Sequence, residues 1–306
     1  MKWIDKTPNR VAGQTITHLF LENHCKEADG RYRGIKYDDR CPGTKKQFVS
    51  ADKRKYRKAM IDLLLMEQNN RCCYCLRKLK RAKKEEDSDE VITIEHIIPR
   101  GYTSAENVAY YQSAPGLGTR EVVIRDVYEN PTHKQIRGCD PHNIAFNNMT
   151  VSCNGTFPDI PSRRGTGKSK NCCNEFRSEK EAYPIYFFKD VGDWVDYLPD
   201  GDIQAVIGSP EEQHVASLIT NTNLQFDSLK DIRYLWYMLR NENWRDITDA
   251  KTESARNNLF SRVLYKDMAA DFSRIEKLHT KYIQDMNWNT FFLYSAFYDI
   301  FRSKYP

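Results

Sequence analysis

The stretch NRCCYCLRKLK at residues 70–80 places three cysteines within four positions and follows them with lysine and arginine. Cys72 and Cys75 form a C-x-x-C pair, a spacing by which a short turn directs two thiolates at one metal ion. Structural zinc sites take four such ligands in a tetrahedron. Buried cysteines also occur as small hydrophobic residues without any metal. A second pair of cysteines elsewhere in the chain would favour zinc.

Two later segments supply candidates for the second pair. Cys153 ends the run NNMTVSC, and the doubled Cys172 and Cys173 lie in NCCNEFR. Cys153 with Cys173 completes the set of four, and Cys172 is the alternate fourth ligand. A rival ligand pair, Cys139 with His142, lies in CDPH. Three cysteines have no partner at a clear metal-binding spacing and are expected to be ordinary core or loop residues: Cys25, Cys41 and Cys139.

The composition of the chain indicates a soluble globular protein. The 306 residues are 40% hydrophobic and 29% charged, with a formal net charge of +5. This mild excess of positive charge permits nucleic acid as a partner. No stretch reaches the roughly 18 apolar residues of a membrane span, and the first residues lack an apolar signal segment, so we expect a cytoplasmic protein without membrane contact. Nine cysteines, an odd number, are poor disulfide candidates in that reducing compartment.

The pattern of apolar residues predicts an α+β protein. Apolar residues spaced i, i+4, i+7 and i+8 predict an amphipathic helix over 52–68, which runs into the first cysteines. The runs VITIEHII at 91–98 and NNMTVSC at 147–153 predict strands. After residue 181 we expect a small hairpin, then helices, and a buried aromatic segment near the end. The predicted regions are a helical lead-in at 1–70, a core at 71–180 with an insertion at 101–142, and a mainly helical region at 181–306.

Glu95 and His96 are adjacent at the end of the first predicted strand. Hydrolysis of a phosphodiester needs a base that activates water and a cation that neutralises charge on the phosphate. Imidazole titrates near working pH and suits the first task, whereas a carboxylate with a carboxamide oxygen suits magnesium. A histidine taken by itself is more often a satisfied core residue. The position of His96 between two cysteine pairs is what favours a catalytic role.

These segments together resemble a known family. The pattern LLLMEQNNRCCYC, ITIEHIIPR, NNMTVSCNG and CCNEFR resembles the HNH endonucleases with the ββα-metal motif. It is most similar to the PtuB-type HNH subunits of retron-associated and Septu anti-phage defence systems. The opening MKWIDKTP and the later YLPDGDIQ and ITNTNLQFDSLKDIR extend this resemblance thinly beyond the core. The resemblance implies a zinc-stapled ββα-metal nuclease core, with a helical lead-in before it and a mainly helical region after it.

The resemblance also implies the catalytic roles. His96 would be the general base. Asn148, five residues before Cys153, would hold the imidazole in orientation through its side-chain amide. Asn147 is an alternative for that position, and Asn143 is a weaker one.

The resemblance also implies two metal sites and the phosphate contacts. Glu95 and Asn174 would bind a catalytic magnesium or manganese ion. Arg100 and Arg177 would contact substrate phosphate. A separate structural zinc would be held by four of the cysteines, namely Cys72, Cys75, Cys153 and Cys173, with Cys172 as the alternate for the last.

The expected activity is therefore metal-dependent hydrolysis of phosphodiester bonds in nucleic acid, either DNA or an RNA such as tRNA. The resemblance implies an antiviral effector that works with a PtuA-type ATPase. The basic loops at 77–84 and 163–170 are plausible contacts to the nucleic-acid backbone, although such charge runs are usually only solvated surface. The alternative is a non-catalytic, zinc-stabilised module that binds nucleic acid or protein. That alternative keeps the cysteines but does not need Glu95, His96 or Asn174.

Overall fold

A computed structural model gives the fold of the chain and describes residues 1–35, 51–80, 92–130, 132, 139–155, 171–178, 180–244, 246, 249, 253–264, 272–280 and 291–306. Cys41, the basic loop at 163–170 and residues 133–138 of the predicted insertion lie outside these ranges.

The described chain is a mixed α+β protein with small sheets, as the apolar pattern predicts. The α-helices are α1 (Arg10–His24), α2 (Ala51–Glu67), α3 (Ala105–Gln112), α4 (Arg125–Tyr128), α5 (Cys173–Arg177), α6 (Val191–Trp194), α7 (Glu212–Asn221), α8 (Asp227–Met238), α9 (Glu253–Leu264), α10 (Phe272–His279) and α11 (Ala296–Lys304). The strands are β1 (Ile92–His96), β2 (Val122–Val123), β3 (Asp140–Pro141), β4 (Met149–Cys153), β5 (Val195–Tyr197) and β6 (Ile203–Ala205). Short 3-10 helices lie at Phe146–Asn148 and Ile185–Phe187.

The described strands form two-stranded sheets. β1 pairs antiparallel with β4, so that Ile92 lies opposite Cys153 and His96 lies opposite Met149. β2 pairs in parallel with β3, and β5 pairs antiparallel with β6. The runs predicted as strands at 91–98 and 147–153 contain β1 and β4, which are shorter than the runs, and the structure shows that these two strands are partners. Because of this pairing, the strand that carries Glu95 and His96 lies beside the strand that ends at Cys153.

The end of α2 is attached to the other edge of β4. Asn69 and Asn70 have φ of 50° and 55°, the left-handed conformation that asparagine tolerates and that commonly ends a helix. The Gln68 side-chain carbonyl accepts a hydrogen bond from the Val151 N–H at 2.8 Å, and its amide donates to the Val151 carbonyl at 2.7 Å. One side chain therefore pairs with β4 as a third strand would. The Gln68 amide also donates to the Arg71 carbonyl at 2.8 Å, which fixes the chain just before Cys72.

The hydrophobic core is one continuous cluster that extends from Met1 to Phe301. The C-terminal aromatic segment is buried in it, as predicted, with Phe291 stacked on Trp236 at a centroid distance of 4.4 Å. The carbonyl of Leu293 accepts a hydrogen bond from the Lys78 N–H at 2.7 Å, so this segment also contacts the chain that follows the C-x-x-C pair. Within the described ranges, no helix combines the length and the apolar character that crossing a membrane requires.

Candidate metal centre

Four buried cysteines meet at one point of the structure. The Sγ atoms of Cys72, Cys75, Cys153 and Cys173 all lie within 4.8 Å of one another. The Sγ–Sγ distance is 3.9 Å from Cys72 to Cys173 and 3.6 Å from Cys75 to Cys153. Sulfurs at the corners of a tetrahedron lie about 3.8 Å apart when each is about 2.3 Å from a central zinc. The four cysteines therefore fit a metal ion such as zinc.

Three separate segments bring these sulfurs together. The cysteine turn, residues 72–76, is closed by hydrogen bonds from the Cys72 N–H to the Arg77 carbonyl at 2.9 Å and from the Leu76 N–H to the Cys72 carbonyl at 3.2 Å. Cys153 ends β4. Cys173 begins α5, and its N–H donates to the Thr222 carbonyl at 2.8 Å. A metal ion at this point would join the turn, the strand and the helix.

The group of four contains Cys173 and not Cys172. Cys172 lies beside the group, with its Sγ 3.5 Å from that of Cys173. The rival pair does not form a metal site in the described structure. The Cys139 thiol points to the Thr119 carbonyl at 3.7 Å, and His142 Nδ1 accepts a hydrogen bond from a backbone N–H at 3.0 Å. All eight described cysteines are free thiols.

The clustered thiols influence one another's ionisation. Burial raises the pKa of the Cys75 and Cys173 thiols well above the ordinary value, because an apolar surrounding solvates a thiolate poorly. Burial acts on Cys72 in the same direction, but hydrogen bonds with Cys153 and Cys173 outweigh it and lower the Cys72 pKa. A divalent cation would compensate the thiolate charges that burial opposes. Arg77, which is 4% exposed, supplies further positive charge near these sulfurs.

Glu95 is an internal ion-pair residue in this structure. Its side chain is 3% exposed, and its Oε2 accepts a hydrogen bond from Arg177 Nη1 at 2.5 Å and from the Tyr74 hydroxyl at 3.2 Å. Its Oε1 accepts a hydrogen bond from the Ser152 hydroxyl at 3.1 Å. Both carboxylate oxygens therefore already have donors from the protein.

Arg177 differs from its predicted role as a phosphate contact. Its side chain is 4% exposed, and besides Glu95 it donates to the backbone carbonyls of His96 and Ile97, each at 3.2 Å. Burial opposes its charge, but nearby Tyr74 and Glu95 raise its pKa well above the ordinary value. Arg177 therefore holds the end of β1 from inside and does not face solvent, since a five-residue helix packed on the strand pair directs it inward.

His96 is held by a backbone carbonyl. Its Nε2 lies 3.0 Å from the carbonyl oxygen of Asn143, which can only accept, so Nε2 carries the proton and Nδ1 keeps its lone pair. Burial and, to a smaller extent, the nearby charge of Arg100 lower the pKa of His96 to about 3. The imidazole is therefore neutral at physiological pH. Its tautomer leaves one nitrogen able to accept a proton.

The resemblance implies that the Asn148 amide orients the imidazole. In the structure the hydrogen bonds of this amide instead hold the backbone on either side. Its Nδ2 donates to the carbonyls of Ile98 at 3.0 Å and His142 at 2.6 Å, and its Oδ1 accepts from the Ile98 N–H at 2.7 Å. Both amide hydrogens are thus used. Asn143, the weaker alternative, provides the contact to His96 through its main chain, which no side-chain motif could have indicated.

The remaining predicted residues lie around this region. Asn147 is buried, and the described structure gives its Oδ1 no hydrogen bond. Asn174 is partly exposed on α5, and no described contact joins its side chain to Glu95. Arg100 is partly exposed and close enough to His96 to influence its pKa. The structure therefore brings His96, Arg100 and Glu95 into one region, while the Glu95–Asn174 pairing stays a prediction.

In comparisons with known proteins, no protein-family model, curated protein or solved structure matches this chain.

Proposed function

We propose that the chain is an HNH-type endonuclease whose ββα core consists of β1, β4 and α5, fastened by a structural zinc. One observation supports it most strongly. The strand that carries Glu95 and His96 is paired with a strand that ends at the metal-ligand candidate Cys153, and α5 begins at the candidate Cys173. One ion would thereby fasten the cysteine turn and α5 to the strand pair that carries the candidate base, at the end of the pair opposite His96.

His96 has the protonation state that a general base requires. A water molecule that attacks the phosphorus of a phosphodiester gives its proton to His96, and Nδ1 is the nitrogen with the available lone pair. A pKa of about 3 makes the imidazole a weak base before substrate binds. A bound phosphate would raise this pKa, because negative charge favours the imidazolium form. Arg100, which lies near His96, is the residue we assign to that phosphate.

This arrangement does not accommodate the catalytic cation that the resemblance implies. Glu95 is already paired with Arg177, and its second oxygen accepts a hydrogen bond from Ser152. Magnesium or manganese at Glu95 and Asn174 would neutralise charge on the scissile phosphate. Such an ion would have to replace the Arg177 guanidinium at Glu95, so the residues as arranged do not fit it.

A second candidate function follows from this same ion pair. A non-catalytic, zinc-stabilised module would need no free carboxylate, and a buried Glu95–Arg177 pair is what a purely structural core would contain. Such a module would bind nucleic acid or protein. The two functions differ in whether His96 affects a reaction or only packing.

The resemblance supports a biological context for the nuclease. We place the chain as the effector of an anti-phage defence system, acting on DNA or on an RNA such as tRNA. A PtuA-type ATPase is the partner that would control when it acts. The net charge of +5 is compatible with a nucleic-acid substrate.

The test is cleavage of plasmid DNA and total RNA by the purified protein, with and without a co-expressed ATPase, in magnesium or manganese and again in EDTA. His96→Ala should lower the rate about 100-fold or more, the usual contribution of a general base. His18→Ala is the matched control, because the His18 side chain is 66% exposed and lies on α1.

Both variants should keep their metal and melt cooperatively, which separates catalysis from folding. Undiminished cleavage by a folded His96→Ala protein would refute the nuclease assignment of that residue. No cleavage of any substrate by the natural sequence, together with metal-dependent binding of nucleic acid or protein, would favour the second candidate.

A further inference from the structure

A cavity of about 380 Å³ lies between the first residues of the chain and the cysteine turn. Its volume is within the roughly 300–1,000 Å³ of pockets that hold small ligands. Two residues of its lining, Gln68 and Cys73, hydrogen-bond to the backbone of Val151 on β4. Because β1 occupies the other edge of β4, the cavity is separate from the region of His96.

Arg71 and Lys78 line this cavity and are opposite partners in a short antiparallel bridge. Two backbone hydrogen bonds flank the pair, from the Cys72 N–H to the Arg77 carbonyl at 2.9 Å and from the Leu79 N–H to the Asn70 carbonyl at 2.7 Å. This is the pair type whose members do not bond to each other and whose side chains lie closest together. Like charges directly opposite each other destabilise such a pair. A bound anion would relieve this repulsion.

The positive charge of the lining is not balanced by nearby carboxylates. Lys2 is a third cation on the cavity, and within the described residues no carboxylate forms an ion pair with any of the three. Asp299 acts on Arg71 only from beyond ion-pair distance. Glu67 also lines the cavity, but it is paired with Lys6 at 3.0 Å. The cavity therefore favours a ligand with negative charge.

Trp3 supplies an aromatic surface on the same cavity. Its side chain is 44% exposed, and no ring among the described residues packs against it. The neighbouring backbone is fixed, because Met1 and Ile4 are buried and the Ile4 N–H donates to the Tyr186 carbonyl at 2.7 Å. An exposed indole on a fixed backbone is a surface on which a planar base can stack.

We propose that this cavity binds a nucleotide, either free or as part of a single strand of nucleic acid. The base would stack on Trp3, and the phosphates would lie against the three cations, where the planar arginine fork suits phosphate oxygens. Asn69 and Asn70 also line the cavity, and their carboxamides can donate to and accept from a base edge. Bases inside a duplex are covered on both faces, so a duplex would not fit the indole. This binding does not need His96 and is expected whether or not the chain is a nuclease.

The test measures fluorescence anisotropy with the full-length protein and no added magnesium. Two probes distinguish the sources of the nucleotide, a fluorescent derivative of ATP and a labelled short oligothymidine. The natural sequence should bind at least one of them. Binding of the ATP derivative alone would identify a free nucleotide, and binding of the oligothymidine in preference to a duplex of the same length would identify a single strand.

Variants then assign the binding to this cavity. Trp3→Ala should weaken binding of the probe about fivefold or more, the loss expected for one stacked base, and Trp3→Phe should retain most of the affinity. Lys78→Met should weaken binding about tenfold, because it removes a charged donor to phosphate. Lys189→Met is the matched control, since Lys189 is exposed and lies outside the cavity lining. Lys78→Met should not lower the melting temperature, because it removes a like-charge repulsion.

Three results would overturn the proposal. The first is that the natural sequence binds neither probe, or binds it with the same affinity as folded Trp3→Ala. The second is a loss of affinity from Lys189→Met as large as that from Lys78→Met, which would show a general attraction of charge and no site. The third is displacement of the probe by an oligoglutamate peptide as effectively as by unlabelled nucleotide, which would assign the cavity to an acidic peptide.

Discussion

Replacing Arg177 with methionine should strongly destabilise the fold. The side chain is 4% exposed and supplies a 2.5 Å hydrogen bond to Glu95 as well as bonds to the carbonyls of His96 and Ile97. Without it the Glu95 carboxylate stays buried with only neutral donors, Tyr74 and Ser152. Removing one partner of a buried ion pair costs about 3–5 kcal/mol, a large part of the 5–15 kcal/mol that a typical domain has in total.

Urea unfolding of a double-mutant cycle measures this cost. Glu95→Gln/Arg177→Met should be more stable than Arg177→Met, because the unpaired charge is gone. Arg125→Met is the control, since Arg125 pairs with Asp126 at the surface and its loss should cost less than about 1 kcal/mol. A loss below 1 kcal/mol for Arg177→Met, or no recovery in the double variant, would refute the buried pair.

The same variant tests whether Glu95 can bind a cation. Arg177→Met leaves the carboxylate without its positive partner, so magnesium or manganese should stabilise the variant more than the natural sequence. An ion present at 100 times its dissociation constant adds about 2.7 kcal/mol to the stability of the folded state. Equal responses of the two proteins to the ion would show that Glu95 is purely structural.

Three further outcomes follow from other contacts. Cys75→Ser should lose the metal and melt at a lower temperature, because metal binding at such a centre is coupled to folding; retention of one zinc per chain in the mass spectrum would contradict this. Gln68→Ala should cost about 2–4 kcal/mol in urea unfolding, because it leaves the Val151 N–H and carbonyl without this partner, and a loss under 1 kcal/mol would show that the attachment of α2 to β4 contributes little. Burial raises the pKa of Asp140 to about 7. Between about pH 4 and pH 7 the folded state therefore holds a proton that the unfolded state has released. The contribution of Asp140 to the free energy of unfolding falls as pH rises through this range. Asp140→Asn should remove up to about 3 kcal/mol of the difference in unfolding free energy between pH 5 and pH 8, and an unchanged difference would refute this.

The candidate metal centre could be predicted from the sequence because ligand chemistry restricts the spacing of the cysteines. The Cys72–Cys75 pair is recognisable by itself, and the strand run that ends at Cys153 places a third thiol at a defined point. The choice between Cys172 and Cys173 could not be predicted, because it depends on a left-handed conformation at a non-glycine residue. The local pattern also gave β1 and β4, but their pairing joins residues more than fifty positions apart and required the whole fold.

The environment of Glu95 and His96 was less predictable, since it depends on groups that carry no motif. An arginine near a phosphodiester site favours a phosphate contact when only sequence is considered. The fold instead places Arg177 under β1, where the carboxylate and two backbone carbonyls satisfy its donors. The group that fixes the His96 tautomer is a main-chain carbonyl. Backbone groups are the same at every residue, so only their position in three dimensions gives them a role.

The end of the predicted insertion at 101–142 explains how the Asn143 carbonyl reaches His96. β3 pairs with β2 inside the insertion, and the chain then turns through His142, whose ring nitrogens contact the Arg125 N–H and the Arg100 carbonyl. Asn148 donates to the His142 carbonyl, and the Asn143 amide donates to the Ile35 carbonyl at 2.5 Å. These bonds fix the Asn143 main chain from both sides. The insertion therefore sets the tautomer of His96. Because His96 and Cys153 lie at opposite ends of the β1–β4 pair, it does so independently of the cysteine group at the far end.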